Sequence, residues 1–204
     1  MEQKDSRRRG RPPAYDRDSV VAKAQRVFWK EGAAGASLDS LGEATGLHKP
    51  SLYAAFGGKG GLYCAALDAY IESGAPDVQQ ALARVPLRKA LETFFEADLD
   101  VFCGAEGQRG CFLIGTAIEA AAGDPAIRAR IEAVFAGLRR TLRARIERAA
   151  AEGELAVADV EAATEIVYAT HVMLAVEARA GAARAELQKR FGRILDLLDG
   201  LGES

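Results

Sequence analysis

Residues 37–62 read SLDSLGEATGLHKPSLYAAFGGKGGL, two short amphipathic segments joined by a tight glycine-containing turn. Leu38, Leu41 and Ala44 fall at i, i+3 and i+6, a single helical stripe that can face one core. Gly46 is placed to stop that helix, Leu47 to plug the turn, and Pro50 sits where a first helical turn tolerates proline. Ser37 is placed to cap the first segment, and Asp39 in its first turn suits the helix dipole. Leu52 and Phe56, four apart, bury the second segment, so Lys49, Ser51, Tyr53 and Ala54 face away from the core. A polar rod held from behind in this way has the shape that enters a DNA major groove.

The rest of the chain reads as helix. Alanine and leucine dominate, β-branched runs are absent, and 49% hydrophobic residues suffice for a real core in 204 residues. One amphipathic helix over about 17–31 precedes the motif, with Gly32 as its stop. Further helices are predicted from Lys59, over Leu87 to Cys103, from Cys111 to before Gly123, from Pro125 onward, and over about 159–180 and 183–198. The expected fold is therefore all-α with about nine helices. Gly57, Gly58, Gly60 and Gly61 crowd the entry to the helix at Lys59, which predicts a frayed, mobile start there. The last two segments are apolar over more than one face, through Ile166, Val167, Thr170, Met173 and Leu174, and Leu187, Phe191, Ile194, Leu195 and Leu198. A second copy across a two-fold axis would cover them as a four-helix bundle.

Charge is divided along the chain. Residues 1–63 carry 11 Lys/Arg against 7 Asp/Glu, whereas residues 64–204 carry 16 against 22. The basic end coincides with the polar rod, where attraction to phosphate would act. Residues 1–15, MEQKDSRRRGRPPAY, read as a flexible basic arm in which Arg9 and Arg11 flank a glycine, the composition of a minor-groove clamp. No stretch reaches 18 consecutive apolar residues and no apolar segment follows the basic start, so a membrane span and secretion are not expected. Three cysteines, Cys64, Cys103 and Cys111, do not make a disulfide framework and suit a cytoplasmic location.

Ser37, Leu41, Gly46, Leu47, Pro50, Ser51, Leu52, Tyr53, Phe56, Lys59 and Leu62 stand at the spacing of the tetracycline-repressor family of bacterial transcription regulators, which this chain resembles from about Asp16 to Tyr70. The resemblance implies a three-helix DNA-binding domain over residues 16–74, with its helix-turn-helix near 37–56, and a larger ligand-binding and dimerisation domain over 75–204. It implies a homodimeric, DNA-binding transcriptional regulator, a repressor released from a double-stranded operator by a small-molecule inducer. Ser37, His48, Lys49, Ser51, Tyr53 and Lys59, with Arg9 and Arg11 of the arm, are the residues expected on DNA. Here His48 replaces the small polar residue usual at the start of the recognition helix, and Ala54 and Ala55 replace larger side chains. An inducer cavity between helices of the second domain would be lined by Phe95, Phe102, Phe112, Phe135, Tyr168, His171 and Met173.

Two other readings compete. Cys111 follows Arg109 at a predicted helix N-terminus, features that lower a thiol pKa, and Cys103 lies across a seven-residue loop with three glycines. The pair would suit thiol modification as a second way to release such a repressor; the competing reading is a thiol-dependent redox enzyme, although no C-x-x-C occurs and only His171 stands in that half. A helical interaction protein without DNA binding is the third reading. No cofactor is called for. A metal site is not expected, because His48 and His171 lie in different domains and no Cys/His pair has ligand spacing. The run Arg139, Arg140, Arg143, Arg145 and Arg148 is interleaved or flanked by Glu132, Glu147, Glu152 and Glu154 and reads as a solvated helix face.

Overall fold

The computed structural model describes residues 15–104, 110–119, 123–155 and 160–200. These residues form nine helices: α1 (Arg17–Gly35), α2 (Leu38–Thr45), α3 (Lys49–Phe56), α4 (Lys59–Leu82), α5 (Leu87–Phe102), α6 (Phe112–Glu119), α7 (Pro125–Ala151), α8 (Val160–Arg179) and α9 (Arg184–Gly200). The basic arm, with Arg9 and Arg11, lies outside the described residues apart from Tyr15.

Local chemistry accounts for the helix ends. Asp16 caps α1 by accepting from the Asp18 amide at 3.1 Å. Helical geometry breaks at Gly32, with φ 75° and ψ 167°, a conformation that glycine alone adopts freely. One more turn follows, to Gly35. Ser37 and Ser40 cap α2 reciprocally, the Ser40 amide donating to Ser37 Oγ at 2.9 Å and the Ser37 amide to Ser40 Oγ at 3.1 Å. Thr45, on the buried side of α2, donates to the Leu41 carbonyl at 2.7 Å and accepts from the Leu47 amide at 3.3 Å, so it seals the turn from within.

The entry to α4 differs from expectation. It forms a regular helix from Lys59, with the Leu62 amide donating to the Gly58 carbonyl at 3.1 Å. Gly61 serves a close crossing: a Cβ there would stand 1.7 Å from the Phe56 carbonyl oxygen at the end of α3. From there α4 continues for 24 residues, past Pro76 and through the expected boundary at residue 74. Its first half buries Leu62, Tyr63, Ala66 and Leu67, and its far end buries Ala81 and Leu82.

Two cores result. The first gathers Phe28, Leu41, Leu52, Phe56, Leu62 and Leu67 of α1–α4, and is completed by Phe112, Ile127 and Ile131 from α6 and α7. The second packs Leu91, Phe94, Phe95 and Leu99 of α5 against Leu142 and Ile146 of α7, Val167 and Leu174 of α8, and Leu187, Phe191 and Leu195 of α9. Fully burying one such side chain contributes roughly 1.5–3 kcal/mol, so these helices hold together by packing rather than by intrinsic propensity. At the surface Arg88 holds α9 onto α5 by reaching Asp196 at 2.8 Å and also Asp199, while Arg184 reaches Glu96 and Asp100, each at 2.7 Å.

Much of the apolar surface of α8 and α9 is thus absorbed within one chain. Ile166, Met173 and Ile194 stay half-buried, and Val176 and Leu197 are exposed, which is what remains for a second copy to cover. The arginine run of α7 also divides. Arg139 and Arg143 pair with Glu165 and Glu161 on the surface, as a solvated face would. Arg145, contrary to expectation, is buried, donating to the Arg84 carbonyl at 3.1 Å and to Glu154 at 2.8 Å. Glu154 also accepts the Leu87 amide at 2.7 Å, so this pair clamps the end of α7 to the corner between α4 and α5.

Candidate functional site

The α2–turn–α3 unit is anchored from behind and open in front. Leu41 and Leu52 are wholly buried and Phe56 nearly so, while Gly46 and Gly57 end the two helices with φ near 75°. Arg17 lies 4.4 Å over the Phe56 ring and donates to the Ala55 carbonyl at 3.1 Å, fixing α3 against α1. Neither contact was visible in the sequence, since Arg17 precedes the motif by twenty residues.

The forward face carries the expected side chains. His48 is the N-cap residue of α3, exposed and with no side-chain cap bond, as the departure from a small polar residue implies. Tyr53 is 56% exposed, and its ring lies across Gly58, where a Cβ would stand 3.0 Å from Cε1. Ser51 is half-buried beside it. Lys49 is exposed but occupied, its Nζ 2.7 Å from Asp39 Oδ1 of α2, an acid read from sequence only as suiting the dipole. Two expected contacts have structural duties: Ser37 Oγ is committed to capping, and Lys59 Nζ donates to the Ala36 carbonyl at 3.1 Å. Between α2 and α3 runs a groove of about 620 Å³ whose walls include Asp39, Glu43, His48 and Lys49.

In the second domain the seven expected lining residues do not converge on one place. Phe102, Tyr168 and His171 do meet, with Phe135 edge-on to Tyr168 at 6.3 Å. His171 Nδ1 lies 2.8 Å from Asp98 Oδ2, its ring stacked on Phe94. Burial raises the Asp98 carboxyl above its ordinary range, and the contact with His171 partly offsets this. Arg139 covers this group from outside, its guanidinium 3.8 Å over the Tyr168 ring. Phe95 is placed elsewhere, stacked on Phe191 with no exposed surface. Phe112 is also apart: it belongs to the first core, stacked on Trp29 and edge-on to Tyr63 and Tyr70. Met173 is half-buried against the second core. The Asp98–His171 pair is thus enclosed by Phe94, Phe102 and Tyr168. Asp98 was missed because nothing local marks it, its partner lying 73 residues away.

The seam between the domains is polar at three points. Tyr63 donates to Thr116 at 2.7 Å, Arg179 of α8 donates to the Trp29 carbonyl at 2.8 Å, and Glu119 lies over Gly32, where a Cβ would stand 2.1 Å from its Oε2. Cys111 also sits here, its Sγ 3.5 Å from the Tyr70 hydroxyl. The expectation of a lowered thiol pKa is corrected: burial raises it, outweighing the Tyr70 bond and the amides of Ile114 and Leu113 at the helix entrance. Arg109 lies outside the described residues, Cys103 is half-buried at the end of α5, and Cys64 is half-buried in α4. Among the described residues no group of three or more His, Cys, Asp or Glu is placed to hold a metal.

Comparison with known proteins bears on both halves. Residues 20–66 match the model for bacterial regulatory proteins of the tetR family, and residues 86–195 match the tetracyclin repressor-like C-terminal domain. The HTH-type transcriptional repressor ComR of Escherichia coli (strain K12) is 34% identical over 194 residues, covering 93% of this chain and 91% of ComR. The uncharacterized HTH-type transcriptional regulator YezE of Bacillus subtilis (strain 168) is 27% identical over 193 residues, 93% of this chain and 100% of YezE. Among solved structures, a cysteine mutant of the TetR family transcriptional regulator CifR, complexed with 26 bp double-strand operator DNA, is 32% identical with a TM-score of 0.81, covering 92% of this chain and 98% of that one.

Proposed function

Because the chain belongs to the tetracycline-repressor family, we propose that it is a cytoplasmic, homodimeric repressor that releases its operator when a small molecule enters the second domain. Residues 16–74 form its DNA-binding unit and residues 75–204 its regulatory and dimerisation unit, with the arm at 1–15 adding Arg9 and Arg11 to the duplex. One observation carries the reading: α3 is held from behind by Leu52 and Phe56 and presents His48, Lys49 and Tyr53 to solvent on one face. Ser51 and the α2 cap at Ser37 complete that face. Two copies paired through α8 and α9 would set two such helices in successive major grooves, about 34–36 Å apart.

Release follows from linkage. An inducer that parts the rings around Asp98 and His171 favours whichever conformation accommodates it, and its differential affinity sets the largest shift it can cause. Displacement of α6 reaches the DNA-binding unit through Thr116 and Tyr63 of α4. The thiol-dependent enzyme is not favoured, because Cys111 is buried with a raised thiol pKa.

Fluorescence anisotropy of labelled duplex over a salt series tests the reading. The logarithm of the affinity should fall linearly with log salt, with a slope of about 0.9 per phosphate neutralised. A chain that binds no duplex at low salt, selected or random, would refute it.

A further inference from the structure

The forward face of the helix-turn-helix carries an acid as well as a base. Asp39 stands in the first turn of α2 with its side chain 81% exposed, and its carboxylate meets Lys49 at the start of α3 at 2.7 Å. Both residues line the groove between α2 and α3, together with Gly42, Gly46, Glu43 and His48. Capping of α2 is complete without Asp39, since Ser37 and Ser40 satisfy each other. The cap therefore does not require an acid here, and Asp39 adds to the helix only its interaction with the dipole.

An acid at this place works against phosphate binding, because it cancels the lysine charge beside it and repels the backbone. Lys49 occupies one oxygen of this carboxylate, and base edges in the major groove can supply a second donor to it. Resting on the DNA-binding reading above, we propose that Asp39 is a specificity-determining residue that acts with Lys49 to read one G·C base pair in each half-site. The ammonium donates to guanine O6 or N7, and the carboxylate accepts from the N4 amino group of the paired cytosine. Guanine presents two adjacent acceptors to the ammonium, while cytosine N4 lies next to O6 across the pair, so one base pair satisfies both charges. An A·T pair also offers a donor, but it lacks the paired acceptors on the purine.

Selection of bound duplexes from a random library, with wild type, D39N and K49A in parallel, tests this. Wild type should enrich a two-fold motif with G·C at one column per half-site, and a mismatch there should weaken binding roughly 5- to 150-fold. D39N should lose the preference at that column alone, keep the rest of the motif, and bind random duplex more tightly than wild type. K49A should lose the same column and bind random duplex no more tightly. Thermal melts that match wild type show that each variant is folded. A D39N motif identical to that of wild type would overturn the proposal, as would an Asp39-dependent column occupied by A·T. If wild type enriched no motif at all, the DNA-binding reading itself would fail, an outcome distinct from either.

Discussion

Substituting alanine at Gly61 and, separately, at Gly60 separates two effects that look identical in sequence. At Gly61 the added methyl would meet the Phe56 carbonyl oxygen at 1.7 Å, and this obstacle is backbone, which no rotamer change removes. At Gly60 nothing lies within 4 Å. Overpacking of this kind costs about 1–3 kcal/mol, and for a chain of this size each kcal/mol moves Tm by about 2–4 °C. G61A should therefore melt about 2–12 °C below wild type. Alanine in place of an unobstructed helical glycine gains up to about 1 kcal/mol, so G60A should match wild type or melt up to about 4 °C above it. Circular dichroism melts under identical buffer conditions measure both. Because the Gly61 contact sets how closely α4 crosses α3, G61A should also weaken duplex binding at a temperature where it is still folded, and G60A should not. If the two variants melted together, the close crossing would not be the reason for glycine at 61.

Two further outcomes follow from burial. In the native reduced protein Cys111 should react with iodoacetamide more slowly than half-buried Cys103, and its rate should keep rising above the ordinary thiol range, because burial holds the neutral form; peptide mass mapping over a pH series measures it, and a Cys111 rate already level near neutral pH would refute the burial argument. E154Q should lower Tm more than R145M, since the first leaves the buried Arg145 charge without its acid while the second removes the charge and fills its space; thermal melts of the two variants decide it, and the reverse order would show that the cation is stabilised by something other than Glu154.

The local grammar of the helix-turn-helix was legible because its signals are short in range. Gly46, Pro50, Leu52 and Phe56 each act on neighbours within a turn or two, and the structure places each as its chemistry requires. Long-range contacts were not legible. Lys59 turns to the Ala36 carbonyl, Cys111 is covered by Tyr70, and Phe112 joins Trp29, all through partners 23 or more residues away. Periodicity could mark Phe112 as buried but not say in which core. The acid at 39 and the lysine at 49 were each noticed, but their pairing depends on the angle between two helices, which no spacing rule supplies.

Trp29 is the one tryptophan in the chain, and it sits in the seam, edge-on to Tyr70 and stacked on Phe112, with its indole N–H finding no partner among the described residues. The protein therefore contains an intrinsic fluorophore at the junction of its two halves. Emission from an indole responds to the polarity around it and to quenching neighbours, so any rearrangement of α6 against α1 registers in a single-site signal without a label or a substitution. Stopped-flow emission would time the passage of a signal across the seam, independently of when DNA departs.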